Sequence, residues 1–281
     1  MTQGELARQS PVTAEAASAA VETGDLASED VHDHLAPIPV AALPADPEGP
    51  VDAVVVDLVP LADVAEHHVF LAAGEGLLGA TPVQRAIKRL VEIAIASVAL
   101  VVLSPVIACV AVAVLVTSRG PVIHGQQRIG LNGRALRFAK FRTMSRDAEG
   151  MRAGLQDSNE VAGPVFKLRV DPRTTPLGRF LRKYSIDELP QLVHVISGRM
   201  ALVGPRPQLP EEVVAYGPWE RQRLLVKPGV TCIWQVSGRS DLDFDTWVDM
   251  DIDYIRRWSL RLDFAILART LGAVLSGRGA Y

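Results

Sequence analysis

The segment from Arg182 to Pro190, RKYSIDELP, places two carboxylates side by side at Asp187 and Glu188. Ser185 followed three residues later by Glu188 matches a capping box, in which Ser185 begins a helix. Pro190 argues against that frame, because a proline in the second turn removes a backbone donor that the helix uses. With Asp187 as N-cap, Pro190 falls in the first turn, where its missing N–H is unpaired anyway. We therefore predict a helix that begins at Asp187 and whose positive end favours the ionised carboxylate.

An ionised carboxylate at a helix start can be a cap, a metal ligand or a covalent nucleophile. The spacing of Asp187 and Glu188 by itself favours the cap. A chemical role therefore depends on the groups that the fold brings to the pair.

Basic residues at turns could supply an anion site. Arg206 lies between Pro205 and Pro207, which fix the direction of its guanidinium and so suit it to a phosphate, although an incidental surface arginine would look the same. Further candidates are Lys140, Arg142, Arg173, Arg239 and Asp251, the last in a C-terminal helix where most carboxylates face solvent. Each is weak alone, but together these loops predict a site for a phosphate-bearing ligand.

Charge is divided unevenly along the 281 residues, so the net charge of -3 is misleading. Residues 1–80 carry 14 acids against one base, Arg8, whereas residues 81–281 carry 18 acids and 28 bases. The basic part suits phosphates, nucleotides or an anionic lipid leaflet, although a basic surface without a ligand has the same composition. Two cysteines, Cys109 and Cys232, cannot form a disulfide framework and lack metal-ligand spacing, so a structural zinc site is not expected.

The strongest physical feature is the run from Ile93 to Ser118, 26 consecutive residues without a formal charge. As a helix it would be about 39 Å long at ~1.5 Å per residue, enough for a bilayer core of about 30 Å. Ser104–Pro105 lies near its midpoint, where the proline should bend or break the helix. Basic residues flank both ends, so charge asymmetry sets no orientation. A re-entrant helix that turns at Ser104–Pro105 and a kinked single crossing are equally compatible with these features.

The remaining patterns predict a mixed α/β protein in three parts. Residues 1–80 form an acidic, largely disordered segment, residues 81–118 the membrane helix, and residues 119–281 a folded domain. Short strands are expected within Val122–Arg142, around a turn at Gly130–Gly133. Helices are predicted over Ser145–Asp157, Thr175–Tyr184, Gln191–Ile196, Phe244–Trp258 and Leu260–Leu275. The last helix is apolar on one side and could lie in the membrane interface or pack on the core.

Several segments, taken in order, resemble the bacterial sugar transferase family, the monotopic phosphoglycosyl transferases that start glycan assembly on a lipid carrier. The resemblance covers roughly residues 82–275. The matching segments are KRLVEIAIASVALVVLSPV, KFRTM, GPVFKLRVDPRTTPLGRFLRKYSIDELPQL, ALVGPRP, KPGVTCIWQVSGR and DMDIDYIRRWSLRLDFAIL.

The resemblance implies a compact α/β catalytic domain on the cytoplasmic face of the inner membrane, with interfacial amphipathic helices and a re-entrant helix broken at Ser104–Pro105. It implies transfer of a sugar 1-phosphate from a UDP-sugar to polyprenyl (undecaprenyl) phosphate, with release of UMP. Such a reaction begins exopolysaccharide or other glycan synthesis. The implied cofactor is Mg²⁺, and the lipid bilayer is a partner. A homo-oligomer is compatible with the family, and no nucleic acid is expected.

Carried onto this chain, the family's nucleophile is Asp187, which would form a covalent phosphosugar intermediate. Glu188 would assist it, either as a second Mg²⁺ ligand beside Asp187 or in proton transfer. Arg206 and Arg239 are implied for the nucleotide. The other implied substrate-binding residues are Lys140, Arg142, Arg173 and Asp251.

The chain departs from the family at three positions. Glu92 stands where aspartate is common, His194 where asparagine is common, and Arg199 where an acid is usual. Two other functions stay open. One is a membrane-anchored protein that binds nucleotide or anionic lipid without turnover, and the other is an inactive relative that acts as a scaffold. The sequence does not determine which sugar would be transferred.

Overall fold

The computed structural model describes residues 77, 80–118, 120–161, 163–239 and 242–277. The acidic segment predicted over residues 1–80 lies outside the described residues except at Leu77 and Ala80, so its disorder stays a prediction. The described part combines helices with two small sheets, which confirms the mixed α/β class.

The long apolar run lies in α1 (Pro82–Ser118), a continuous 37-residue helix. By length and composition it could cross a membrane. The predicted break at Ser104–Pro105 is wrong, because the helix continues through Pro105. Pro105 has no N–H for the carbonyl of Val101, and the Ser104 hydroxyl donates to that oxygen instead, at 2.8 Å. A bend at this point stays a prediction.

A β-hairpin follows α1. Strand β1 (Ile123–Ile129) pairs antiparallel with β2 (Ala135–Phe141), and Ile129 lies opposite Ala135. The connection contains Asn132 and Gly133 at φ 54° and 74°, the left-handed backbone that a tight reversal requires. The predicted strands around a Gly130–Gly133 turn are therefore confirmed.

The second sheet pairs two short strands in parallel, β3 (Ala201–Val203) and β4 (Gly229–Thr231). Immediately after β3, the backbone of Gly204 packs so closely that a Cβ there would lie 2.5 Å from the carbonyl oxygen of Lys227. Only glycine fits this approach, which ties the start of the Gly204–Pro207 loop to the neighbouring chain.

Short helices and two longer C-terminal helices surround the sheets. They are α2 (Ala148–Arg152), α3 (Pro176–Lys183), α4 (Leu192–Ile196), α5 (Pro210–Val214), α6 (Pro218–Arg221), α7 (Ile233–Ser237), α8 (Phe244–Arg256) and α9 (Leu260–Ser276). Short 3₁₀ turns occupy Leu131–Gly133, Ala153–Ser158, Ile186–Gln191 and Gln222–Leu225. Thr175, Asp243 and Ser259 cap α3, α8 and α9 with their side-chain oxygens. The predicted helices in these three regions are thus confirmed, with small shifts at their ends.

The helix α1 packs on the rest of the domain near both of its ends. Near its start Lys88 and Glu92 are buried, and further along Ala96 belongs to the core that also contains Val195, Val203 and Ile266. Near its end, Val114 is fully buried against Phe141 and Leu181. Between these contacts many of its valines are exposed.

Candidate active site

Asp187 lies in the 3₁₀ helix Ile186–Gln191, between α3 and α4. The predicted helix start at Asp187 is wrong, because the turn begins directly after Ser185, the alternative that Pro190 argued against. Ser185 has φ 52°, and its side chain makes no capping bond. The chain leaves α3 and reverses at once, with the Ser185 N–H bonded to the carbonyl of Arg182 at 3.0 Å. An N-cap needs an extended backbone, so this immediate reversal leaves Asp187 as the second residue of the turn instead of its cap.

Burial dominates the electrostatics of Asp187, which is only 6% exposed. Desolvation, with the neighbouring charge of Glu188, raises the pKa of Asp187 to about 6, while Lys140, Arg182 and Arg206 act in the opposite direction. The predicted stabilisation of the ionised form by a helix end is therefore outweighed. Above pH 6 the side chain is a mostly ionised carboxylate that the protein solvates poorly, a state suited to nucleophilic attack.

Glu188 has a direct partner, since Arg206 Nη2 lies 2.6 Å from Glu188 Oε1. The loop that carries Arg206 is bonded on both sides of this residue. Gly229 N–H donates to the carbonyl of Pro205 at 2.9 Å, and Arg128 Nη1 donates to the carbonyl of Pro207 at 2.7 Å. The two prolines and these bonds together fix the direction of the guanidinium.

A cavity of about 270 Å³ lies beside this region. Eight of its lining residues are cations and two are acids. The cations are Arg128, Lys140, Arg142, Arg146, Arg152, Lys167, Arg173 and Arg182, and the acids are Glu149 and Asp171. Burial, together with the charges of Arg182 and Arg128, lowers the pKa of Lys140 to about 7. Such an excess of positive charge around one cavity favours a polyanionic ligand such as a diphosphate.

The structure brings Lys140, Arg142 and Arg173 of the predicted site to this cavity. Arg173 is already held by Asp171, whose two oxygens accept from its Nε at 2.9 Å and from its Nη2 at 2.8 Å. Its guanidinium also lies 5.1 Å from the ring centre of Phe166. Arg173 is therefore fixed at the wall, whereas Lys140 lies close enough to Asp187 for each charge to act on the other.

Arg239 lies near Glu188 and does not line the cavity. It has a left-handed backbone at φ 52°, and its Nε donates to the carbonyl of Gln235 at 3.2 Å. Burial lowers the pKa of Arg239, and the Glu188 carboxylate opposes that shift. Glu188 thus lies within the field of two of the predicted arginines, Arg206 and Arg239.

Asp251 is placed differently from the prediction. It is 0% exposed, its Oδ2 accepts a hydrogen bond from Arg223 Nε at 2.9 Å, and Arg223 Nη2 lies 2.7 Å from the same oxygen. The expected contact between Asp251 and substrate is therefore wrong for this structure. The physical reason is helical periodicity, since Val248, Ile252 and Ile255 are buried on the same stripe of α8.

Sequence reasoning overlooked Arg128 and Arg182, which line the cavity. Arg182 also donates to Thr143 Oγ1 at 3.0 Å. For Arg128 a signal was present, because residues two apart on β1 share a face with their partners on β2. In the observed register His124 lies opposite Lys140, and Arg128 therefore falls on the face that carries Lys140.

The carboxylates at this site suit magnesium better than zinc. Across the described ranges, no group of three or more His, Cys, Asp and Glu side chains is placed to hold a metal. Magnesium at a nucleotide site needs only one or two protein carboxylates, because phosphate oxygens and water complete its shell. The adjacent carboxylates of Asp187 and Glu188 fit that smaller set.

Comparison with known proteins agrees with the geometry. Residues 83–277 match the family described as Bacterial sugar transferase, and the chain belongs to that family. Family membership makes it a transferase, and α1 indicates association with a membrane.

Three relatives illustrate the match. The chain is 48% identical over 162 residues to the "Galactosyl transferase CpsE" of Streptococcus agalactiae, covering 57% of this chain and 36% of that protein. It is 39% identical over 198 residues to the "Exopolysaccharide production protein ExoY" of Sinorhizobium fredii, covering 69% and 88%. It is 36% identical over 211 residues to the "UDP-glucose:undecaprenyl-phosphate glucose-1-phosphate transferase" of Escherichia coli, covering 71% and 42%. The chain thus spans less than half of the first and third relatives and most of the second.

Proposed function

We propose that this protein transfers a sugar 1-phosphate from a UDP-sugar to polyprenyl phosphate and releases UMP, as the first step of exopolysaccharide or other glycan synthesis. The observation that carries the proposal is the setting of Asp187. Among the described residues this buried carboxylate has no direct ion pair, yet it lies in the field of Lys140, Arg182 and Arg206 beside a cationic cavity. The printed name of the Escherichia coli relative supports the substrate classes.

In the first chemical step, an oxygen of the Asp187 carboxylate attacks the phosphorus that carries the sugar. The bond from this phosphorus to the bridging oxygen of the diphosphate breaks, and UMP leaves with that oxygen. Lys140 and Arg182 line the cavity and would stabilise the charge that develops on the diphosphate. The product of this step is a sugar phosphate covalently bound to Asp187.

In the second step, a phosphate oxygen of the polyprenyl carrier attacks the same phosphorus. The bond to Asp187 breaks, the carboxylate is regenerated, and the polyprenyl diphosphate sugar leaves. Arg206 is held by Glu188 at 2.6 Å, so its guanidinium is already positioned beside the carboxylate pair, where it would contact the phosphate groups that react.

Asp187 and Glu188 would hold Mg²⁺ at this site. The bound ion would neutralise part of the diphosphate charge so that a carboxylate can approach it. The ion pair with Arg206 restrains the Glu188 carboxylate, which therefore stays beside Asp187 as the second ligand.

We also propose that α1 bends at Ser104–Pro105 without breaking, so that it is re-entrant, and that the catalytic domain lies on the cytoplasmic face. The support is that Lys88, near the start of α1, and Val114, near its end, both contact the same domain. Both ends of the helix would then face one side of the bilayer. Exposed Phe264, Leu271 and Leu275 on α9 suit the membrane interface.

Thiol labelling tests this topology in a background without Cys109 and Cys232. Gln84→Cys and Arg134→Cys introduce thiols at exposed positions on either side of the apolar run. We expect an impermeant reagent to label both from the cytoplasmic side. Labelling from opposite sides would establish a single crossing.

The function is tested by UMP release in the presence of polyprenyl phosphate, over a panel of UDP-hexoses and UDP-N-acetylhexosamines. We expect release with at least one UDP-sugar, and transfer of the β-phosphate label to the protein when the lipid is omitted. Asp187→Asn should abolish both signals, whereas the control Asp253→Asn, at an exposed pair with Arg257, should retain them. Binding of UDP-sugars without release from the wild type would instead support the non-catalytic binding protein.

A further inference from the structure

A second group of buried charges lies at the start of α1, apart from Asp187. We call it the Lys88 cluster, and it consists of Lys88, Glu92, Tyr254, Trp258 and Asp263. Lys88 Nζ lies 2.6 Å from Asp263 Oδ2 and 2.8 Å from Glu92 Oε1. Trp258 Nε1 donates to Asp263 Oδ2 at 3.1 Å, and the Tyr254 hydroxyl lies 2.8 Å from Asp263 Oδ1. All five residues are buried; four lie in the helices α1, α8 and α9, and Trp258 lies in the connection between α8 and α9.

The Lys88 cluster bonds the backbone of β3. Glu92 Oε1 accepts from the N–H of Leu202 at 3.1 Å. The carbonyl oxygen of Val203 lies 3.3 Å from Lys88 Nζ and 3.0 Å from the Tyr254 hydroxyl. Two consecutive residues of a three-residue strand are therefore held by side chains that depend on one lysine of the membrane helix.

The strand β3 leads directly into the loop that carries Arg206. Gly204 N–H donates to the carbonyl of Thr231 at 3.0 Å, and Gly204 packs against the neighbouring backbone without room for a side chain. Pro205 adds a fixed φ before Arg206. Because this connection is short and stiff, a shift of Val203 displaces the guanidinium that pairs with Glu188.

We propose that Lys88 is a positioning residue for the transfer reaction. The Lys88 cluster makes the start of the membrane helix part of the support for Arg206, so α1 contributes to catalytic geometry as well as to membrane attachment. Lys88 touches no reacting group in this arrangement and acts through β3. The kinetic consequence rests on the proposed function, whereas the structural consequence does not.

The test uses the full chain in lipid nanodiscs. Lys88→Met removes the charge and keeps a side chain of similar length, and Lys88→Arg is the conservative rescue. Arg85→Met is the matched control, because Arg85 is an exposed cation one turn earlier on α1. Tyr254→Phe removes one bond to Val203 and leaves every charge in place, so it serves if Lys88→Met does not fold.

Two readouts separate the possibilities. Hydrogen exchange of residues 201–208 should become faster in Lys88→Met and Tyr254→Phe than in wild type, while peptides from the β-hairpin stay protected. UMP release should fall on the order of 10-fold or more in Lys88→Met, since small misplacements of a positioned group are costly, and Lys88→Arg should recover part of it. Arg85→Met should change neither readout.

The inference is overturned if exchange at residues 201–208 is unchanged in a folded variant. It is also overturned if exchange rises equally throughout the domain, which would mark a general loss of stability. If the wild type releases no UMP but local exchange responds as expected, the proposed function fails while the positioning by Lys88 stands.

Discussion

Asp187 and Asp251 are both buried aspartates near the loop that carries Arg206, but their surroundings differ. Asp251 forms an ion pair with Arg223 and accepts a hydrogen bond from its Nε, and Arg223 also donates to the Tyr216 hydroxyl at 2.8 Å. Asp187 has no such direct pair among the described residues and is surrounded by cations that act from a greater distance. The first carboxylate is neutralised within the core, whereas the second stays available to a ligand.

The difference between the two aspartates illustrates how an ion pair changes the stability cost of a buried carboxylate. A paired carboxylate fixes the packing around it, and removing its partner is costly because the other charge is left buried. A buried carboxylate without a direct pair lowers stability when it ionises, and active sites tolerate that cost because the group can then react. The comparison therefore predicts opposite consequences for conservative changes at the two positions.

The largest expected effect is on activity at Asp187. Asp187→Asn removes the proposed nucleophile and should lower the rate of UMP release on the order of 10⁴-fold or more, as for other covalent nucleophiles. The protein should still fold and bind UDP-sugar, which isothermal titration can verify. An Asp187→Asn variant that turns over at a rate near wild type would remove the distinction between the two aspartates.

A large effect on stability is expected at Asp251. Asp251→Asn leaves Arg223 buried without its counter-ion and should lower the free energy of unfolding by about 3–5 kcal/mol. Denaturant unfolding in detergent gives this value. The double variant Arg223→Met with Asp251→Leu should recover part of the loss, since it leaves neither charge behind. If the double variant is no more stable than Asp251→Asn, the ion pair is not what the core requires.

A smaller effect concerns a property that the two aspartates share, because burial raises the pKa of both Asp187 and Asp251 to about 6. The pKa of Asp187 in the folded protein, about 6, lies above the value of about 3.9 for an unfolded chain. The folded state therefore binds more protons between these values, and this residue's contribution to stability falls as pH rises through that window. The melting temperature of Asp187→Asn minus that of wild type should therefore be larger at pH 7.5 than at pH 5.

The measurement is made in EDTA, so that no bound cation shifts the titration. Asp253→Asn, at an exposed position, is the control and should show little change in that difference with pH. A difference between Asp187→Asn and wild type that does not vary between pH 5 and 7.5 would contradict the raised pKa.

The smallest effect concerns a neutral polar group within α1. Ser104→Ala leaves the carbonyl of Val101 without a donor and should destabilise the helix by about 0.5–1.5 kcal/mol. The control is Thr117→Ala, because the Thr117 hydroxyl bonds the carbonyl of Ala113 at 2.7 Å within a regular stretch of helix. Hydrogen exchange around residues 101–106 should rise in Ser104→Ala alone. Equal responses of the two variants would show that the serine does not compensate for Pro105.

Local patterns predicted much of this protein. Alternation and turn residues predicted the hairpin around Gly130–Gly133, and amphipathic spacing predicted α3, α8 and α9 close to their observed ends. The motifs also selected Asp187, Glu188, Arg206 and Lys140, which the fold does bring together. These features depend on neighbours within a few residues or on a recognisable motif, so a single sequence contains them.

The tertiary structure determined which charged side chains form ion pairs and which are buried. The position of Asp187 in its turn depended on how α3 ends, and burial of Asp251 depended on which face of α8 meets the core. Lys88 and Asp263 lie 175 positions apart in the chain and are joined only by the packing of α1 against α9. Charge pairing and desolvation are set by such long-range packing, and for that reason the sequence indicated the proposed nucleophile without revealing what holds its surroundings in place.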